Sequence, residues 1–249
     1  MNTLKKVFRK ALPLLFWVAV WAACYVAVGQ DLLLASPVQV AKRFAFLGEN
    51  VFWRCVGMSL WRTAAAYGLG VTVAVLLAAA SSMSRLADEL ISPAMAVVRA
   101  TPVASFIILA LVWLSSANVP ILAGMLMVTP VVYANVREGV SSTDPQLKEM
   151  ARLFGFSRWK TVRRVIVPSA MPTFLAACEA CVGLCFKATI AAEVIGVPKN
   201  AIGTQLYHAK IYLETDALMA WTLVVILLSM LLERVLKGLI ERGRRRDHA

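Results

Sequence analysis

Three ionisable side chains interrupt the apolar stretch from 173 to 197 and are the first candidates for chemistry. Glu179, Lys187 and Glu193 are its only charged residues. At 100° per residue they fit one helix face about 120° wide, yet Glu179 and Lys187 lie about 12 Å apart along the axis, too far to pair directly. Charges inside a membrane span are costly, so these residues either fix helix packing or line a water-filled pathway. For Glu193, a position near the outer interface is a further explanation.

A second polar group, Arg99, Thr101 and Pro102, lies in another apolar run. The proline removes one helical hydrogen bond and frees a carbonyl that can face a cavity. The group therefore indicates either a hinge or gate, or a snorkelling arginine beside an ordinary proline kink.

Cysteines form the third group. Cys178, Cys181 and Cys185 recur at i, i+3 and i+7, a spacing that could place thiolates on one helix face for a metal. The two histidines, His208 and His248, lie in an outer loop and in the tail, so neither completes a ligand set. Cysteine is a common small residue at helix contacts, and we expect a packing role with no metal site.

Other catalytic patterns are missing from the sequence. A membrane-embedded enzyme would need His, Ser or paired carboxylates clustered at one depth. ATP hydrolysis would need a glycine-rich phosphate loop that ends in Lys and Ser or Thr. Because neither pattern occurs, we expect no catalytic site and no cofactor in this chain. Lys and Arg do not alternate with stacking aromatics, which argues against a nucleic-acid partner.

Composition places these residues in lipid. The 249 residues are 60% hydrophobic and 16% charged, with a mean hydropathy of +0.72, outside the range of soluble domains. The net charge of +12 is then confined to a few aqueous segments, where anionic lipid headgroups supply the counter-charge.

Six apolar runs predict an all-α membrane protein with six transmembrane helices. Basic residues concentrate in segments 1–10, 137–164 and 234–246, which places both termini in the cytoplasm. The basic start resembles a signal peptide, but the first run is long enough to span, and we interpret it as a retained helix. We divide the chain into a cytoplasmic segment 1–10, a membrane domain 11–241 and a basic tail 242–249. The runs are Ala11–Gly29, Trp61–Met83, Ser92–Leu114, Val119–Val136, Thr173–Val197 and Asp216–Leu232.

Two aqueous segments carry helix start signals. Ser36 followed by Pro37 predicts a short amphipathic helix that braces the outer interface. In the cytoplasmic loop 137–168, Asp144 and Pro145 provide the same signal. A one-sided apolar stripe then follows, formed by Leu147, Met150, Ala151 and Phe154.

Gly155 is placed to end this loop helix in the left-handed conformation. Ser157 then caps a second helix, predicted over Arg158–Val167, with Pro168 at the entry to the fifth span. An exposed apolar stripe is costly unless something covers it. The cover is the bilayer surface, the chain's own membrane bundle, or a groove on a partner protein.

This loop resembles the EAA motif of ABC importer permeases, which reads Glu-Ala-Ala, three residues, Gly, nine residues, then Ile, one residue, Leu-Pro. Glu149, Ala151, Gly155 and Pro168 match in register, and apolar residues replace the motif at Met150, Val165 and Val167. The resemblance implies a type I importer permease whose loop forms coupling helices in a cleft of the ATPase subunit. Glu149, Met150, Ala151, Phe154 and Gly155 would form the ATPase joint, and Pro168 would end the loop.

Further segments are similar to the nitrate, sulfonate and taurine branch of these permeases. The resemblance implies two permease copies, ATPase subunits that bind ATP and Mg, and an extracytoplasmic solute-binding protein. Related permeases carry thiamine precursors or other small aromatic molecules, so the resemblance does not identify the cargo. The segments are Leu34–Pro37, Arg99–Pro102, Ala192–Glu193 and Leu232–Arg234.

Three alternatives compete with this interpretation. The membrane subunit of an energy-coupling-factor importer also docks ATPases through short cytoplasmic helices, but the motif spacing does not support it. A membrane-embedded enzyme lacks its cluster of reactive side chains. A purely structural assembly subunit would explain the spans but not the double-helix loop.

Overall fold

The computed structural model describes residues 2–247, without the side chains of 2–11, 14, 46 and 243–247. His248, predicted to lie in the tail, and the end of the basic tail are outside this range. The described chain is helical without a strand, which confirms the all-α class. Its helices are α1 Asn2–Val28, α2 Pro37–Arg43, α3 Asn50–Met83, α4 Arg85–Ala100, α5 Val103–Trp113, α6 Val119–Ser141, α7 Pro145–Leu153, α8 Arg158–Thr161, α9 Val167–Gly196, α10 Ile202–Ile211 and α11 Thr215–Asp247.

Among the described residues, three helices are long and apolar enough to cross a membrane. They are α3, α6 and a continuous helix of 39 residues from Arg158 to Gly196. The pair α4 and α5 makes a fourth span if it is counted as one. The second predicted span was placed too late, because α3 begins at Asn50 and not at Trp61.

The predicted third span, Ser92–Leu114, is divided at the proline that the sequence indicates as a hinge or kink. α4 and α5 meet at an angle of 103°, and Thr101 between them is extended, with φ −79° and ψ 132°. Pro102 is the cause, because its ring disfavours helical geometry at the preceding residue and it has no N–H to donate. α4 itself begins at Arg85 and buries none of its residues.

The second loop helix, predicted to end at Val167, continues through Pro168 into the fifth span. A π-helical segment from Val162 to Ile166 follows α8 and leads directly into α9. Its wider turn is closed by the Val167 N–H, which donates to the carbonyl of Val162. A proline clashes with the carbonyl four residues earlier unless the ladder shifts, and π-bulges commonly supply that shift. The helix therefore passes through Pro168 without ending.

Small residues set the spacing of α3, α6 and α9, which pack against one another. Ala66, Gly70 and Ala78 on α3 are buried, as is typical of close helix contacts. Gly68 on the same helix instead has open space where a Cβ would be. Gly124 on α6 is more constrained, because a Cβ there would lie 2.8 Å from the Cβ of Ala66.

The outer helix α2 confirms the cap prediction. Ser36 accepts a hydrogen bond from the Gln39 amide at 3.2 Å, and the Gln39 side chain accepts one from the Ser36 amide at 2.7 Å, which is a capping box. Val40 packs on Ala220 of α11, and the Arg43 guanidinium pairs with Asp216 at 2.7 Å. α2 thus fastens the start of α11.

We expect Gly124→Ala to destabilise the bundle, because its methyl group would also meet the Thr189 hydroxyl at 2.8 Å and the Cys185 sulfur at 3.0 Å. Overpacking of this kind costs about 1–3 kcal/mol. The measurement is thermal unfolding in detergent, with Gly68→Ala as the matched control because its site is open. Equal midpoints for the two variants would contradict the packing of α6 described above.

Candidate functional site

Local capping hydrogen bonds fix the helix ends in the loop 137–168. Asp144 accepts a hydrogen bond from the Gln146 amide at 2.8 Å at the start of α7. At its end the Gly155 amide donates to the Arg152 carbonyl at 3.0 Å, and the Phe156 amide donates to the Ala151 carbonyl at 2.9 Å. With Gly155 at φ 65°, this pair of bonds is a Schellman motif. The predicted breaker glycine is therefore confirmed.

The second half of the loop begins at Ser157, whose hydroxyl accepts from the Lys160 amide at 3.3 Å, as predicted. α7 packs back against the π segment, where Val165 is buried. Ala151 is fully buried, so its small side chain packs against this chain's own residues and not in an exposed stripe.

Large apolar side chains surround the turn between α7 and α8. Leu153, Phe154 and Trp159 are 88%, 73% and 74% exposed, and Leu153 was absent from the predicted stripe. Glu149 is exposed and takes part in no ion pair among the described residues. The surface formed by Glu149, Leu153, Phe154 and Trp159, which we call the loop surface, is thus open to a partner.

Glu193 occupies a different place, a cluster of buried polar groups between α3, α9 and α10. Its fully buried carboxylate accepts from the Ser59 hydroxyl at 2.7 Å, from the Arg62 guanidinium at 3.0 Å and from the Gly203 amide at 3.1 Å. Arg62 also donates to the carbonyl of Lys199 at 3.1 Å. Every member of the cluster is therefore paired, which favours the packing explanation for Glu193.

The cluster acts as a cap supplied from other helices. Ala201 precedes α10 and provides no side-chain cap. In its place, Ser59 accepts from the Ile202 amide at 3.0 Å, and Glu193 accepts from the Gly203 amide. A carboxylate at this position also interacts favourably with the helix dipole. Gly203 must lack a Cβ, because that atom would meet the Glu193 side chain and backbone.

Sequence reasoning missed Arg62 and Ser59, because both precede or border the predicted second span. The available signal was their i, i+3 spacing, which puts them on one face of a helix. The start of α10 without a capping residue was a second signal.

Glu179 and Lys187 do not join Glu193. Glu179 lies 3.8 Å from the Lys237 amine of α11, whereas Lys187 is exposed and forms no ion pair within the described part of the chain. The helix face that the sequence assigns to all three is therefore not one site.

Arg99 borders a cavity of about 850 Å³ between α4 and α6. Arg137 lines the same cavity and pairs with Asp88, and it also donates to the Ser92 hydroxyl at 3.3 Å. Thr101 does not line it; its hydroxyl donates to the Val97 carbonyl at 2.8 Å. The predicted trio thus divides into one cavity residue and a helix break at Thr101 and Pro102.

The cysteines are packing residues, as predicted. Cys178, Cys181 and Cys185 are buried, and the Cys185 thiol lies 3.7 Å from the carbonyl of Thr63 as a weak donor. The Tyr67 hydroxyl donates to the Cys178 carbonyl at 2.9 Å.

The described chain is a bundle of apolar helices with a capped two-helix loop that carries an exposed apolar surface. Residues 70–246 match the family described as the binding-protein-dependent transport system inner membrane component. The chain belongs to this family, that of the ABC importer permeases. It is accordingly a multi-pass inner-membrane protein.

Relatives and solved structures agree with this assignment. The chain is 29% identical over 231 residues to the aliphatic sulfonates transport permease protein SsuC of Escherichia coli K12, covering 90% of this chain and 86% of that protein. It is 24% identical over 229 residues to the taurine transport system permease protein TauC of the same organism, covering 89% and 83%. A solved structure described as an amino acid ABC transporter with histidines shares the fold, with a TM-score of 0.66, 21% identity and coverage of 77% and 94%.

We expect Arg62→Met or Glu193→Gln alone to destabilise the protein by about 3–5 kcal/mol, because each leaves a buried partner uncompensated. The double variant should cost less than the sum of the two. The measurement is a double-mutant cycle by thermal unfolding in detergent.

Arg43→Met is the control for this cycle, because its ion pairs are half exposed and should be worth less than about 1 kcal/mol. Additive costs for Arg62 and Glu193 would show that the two side chains do not stabilise each other.

Proposed function

We propose that the chain couples transport to a separate ATPase through the loop Glu149–Pro168. The loop surface carries this proposal, because three large apolar side chains stay exposed around a turn that is fixed by a Schellman motif. Apolar surface of this kind at the end of short helices is typical of a helix that docks into a groove. ATP and Mg are then bound by the partner, and the permease itself is not an enzyme.

The assembly we propose has two permease copies, two ATPase subunits inside and a solute-binding protein outside. Six spans would come from α1, α3, the bent pair α4 and α5, α6, α9 and α11, with both termini in the cytoplasm. The concentration of Lys and Arg in the loop and near both termini supports this orientation. Alternating access would then move the bundle between an outward-open and an inward-open state.

The cargo we propose is a small anionic or zwitterionic solute of the sulfonate, taurine or nitrate type. The similarity to the sulfonate and taurine transport permeases supports this class. A small aromatic vitamin precursor is the second candidate, because permeases with similar motifs carry such molecules. Thermal stabilisation of the binding protein encoded beside this permease would identify the cargo among these classes.

We expect Gly155→Val to uncouple ATP hydrolysis from uptake while leaving membrane insertion intact. There is room for a side chain, but φ is 65°, and a β-branched residue in this conformation costs about 1–2 kcal/mol. The turn would therefore shift and displace Phe154 from its position. The measurements are ATPase activity stimulated by the binding protein and solute uptake in proteoliposomes.

Gly155→Asn is the matched control, because asparagine tolerates the left-handed conformation and should keep both activities close to normal. Normal uptake by Gly155→Val would count against the coupling role of the loop.

We expect Glu149→Lys to weaken copurification of the permease with its ATPase, because its exposed carboxylate is free to bind across the joint. A loss of at least about tenfold in affinity is expected, which is about 1.4 kcal/mol. The control is Glu49→Lys, a charge reversal at an exposed carboxylate that makes no capping hydrogen bond. Association equal to the wild type would restrict Glu149 to a role within α7.

A further inference from the structure

One face of α9 remains uncovered although this helix packs against α3, α5, α6, α10 and α11. Between residues 176 and 191 the exposed residues recur every three or four positions, so they form one stripe. The stripe consists of three alanines, one leucine and a single lysine. Its members are Ala176, Ala180, Leu184, Lys187 and Ala191.

Lys187 lies far from both ends of α9. Nine residues separate it from Gly196 at the outer end of α9 and twenty from Val167 at the inner end, distances of about 14 Å and 30 Å along the axis. A lysine side chain extends about 6 Å from its Cα, so it cannot reach water beyond the outer end by snorkelling.

The charged residues of α11 near Lys187 interact with groups other than its amine. Glu179 is paired with Lys237. Glu233 lies against Gly183 of α9, one helical turn inward from Lys187, and accepts a long hydrogen bond of 3.5 Å from the Ser229 hydroxyl. Lys187 and Glu233 form no ion pair with each other in the part of the chain that the structure describes. The amine is therefore available to another anion.

A cation at this depth requires water or a counter-ion, because hydrocarbon provides neither. Ala191, one turn outward from Lys187 on the stripe, leaves space beside the amine on that side. A lipid-facing surface would supply neither water nor a counter-ion, whereas the wall of an aqueous channel supplies water.

We propose that this face of α9 lines the aqueous pathway between two permease copies, and that Lys187 binds the anionic group of the cargo in transit. This inference rests on the proposed function and specifies a cargo with a sulfonate, carboxylate or similar anionic group.

The test uses a cysteine at position 191, one turn outward from Lys187 on the same stripe. The assembled transporter in membrane vesicles carries Cys24→Ser, which removes the exposed native cysteine, together with Ala191→Cys. Labelling rates are compared for 2-sulfonatoethyl methanethiosulfonate, an anion, and 2-trimethylammonioethyl methanethiosulfonate, a cation. The comparison is repeated with Lys187→Gln and with Lys187→Arg.

We expect water-soluble reagents to label Ala191→Cys, with the anion favoured. For an amine about 6 Å away in a water-like medium, the ratio of the two rates should fall about tenfold in Lys187→Gln. Lys187→Arg should restore it. Leu76→Cys, an exposed apolar position on α3, is the lipid-facing control and should react with neither reagent.

Three outcomes would overturn the inference: no labelling of Ala191→Cys, equal labelling of Leu76→Cys, or a rate ratio that does not depend on residue 187. Labelling does not require ATP-driven uptake, so this result is separate from that of the Gly155 variants. Charge-selective labelling together with normal coupling in Gly155→Val would refute the loop role alone.

Discussion

Hydrocarbon solvates neither charges nor unpaired backbone groups, and this constraint explains the arrangement of the polar residues in the bundle. Glu193 and Arg62 neutralise each other, and their remaining hydrogen-bonding groups bind the start of α10 and the turn before it. The cluster therefore does more than offset the cost of burying two charges, because it satisfies backbone groups that α10 itself leaves uncapped. α3, α9 and α10 are joined at the outer side for this reason.

The membrane helices lack the hydrophobic driving force that operates in water, since lipid is as apolar as their side chains. Close approach must supply the attraction, and Gly70 and Gly124 allow it where α3, α6 and α9 meet. The opposite holds for the loop between α6 and α9. There Leu153, Phe154 and Trp159 are exposed, and covering them, as the proposed ATPase partner would, removes that cost.

Local signals in the sequence predicted local structure well. Ser36, Asp144 and Ser157 cap helices as expected, and Gly155 is left-handed, because such caps depend on neighbours within four residues. The bend at Pro102 agrees with the hinge or kink that this proline indicated, whereas the π segment before Pro168 was not predicted. A proline shows that the helical ladder must change, but the packing of the surrounding helices decides whether it bends or bulges.

Tertiary pairings were less predictable, because they also depend on how the surrounding helices pack. The expected common face of Glu179, Lys187 and Glu193 follows from helix geometry alone. The ion-pair partners of Glu193 and Glu179 lie on α3 and α11, more than fifty positions away in sequence. No local pattern connects Arg62 to Glu193. The family resemblance of the loop could be read from spacing because the motif is contained within twenty residues.

The continuous helix from Arg158 to Gly196 gives the proposed coupling a physical route. It contains 39 residues, about 58 Å at 1.5 Å per residue, and it includes both α8 at the loop and Glu193 at the outer cluster. If the helix had ended at Pro168, a flexible joint would separate the loop from the bundle. The π segment keeps the helix continuous, so a displacement of α8 in the proposed coupling would also displace α9. The far end of α9 is in turn joined to α3 and α10 by the Glu193 cluster, and movement that began at the loop would therefore reach that cluster through one helix.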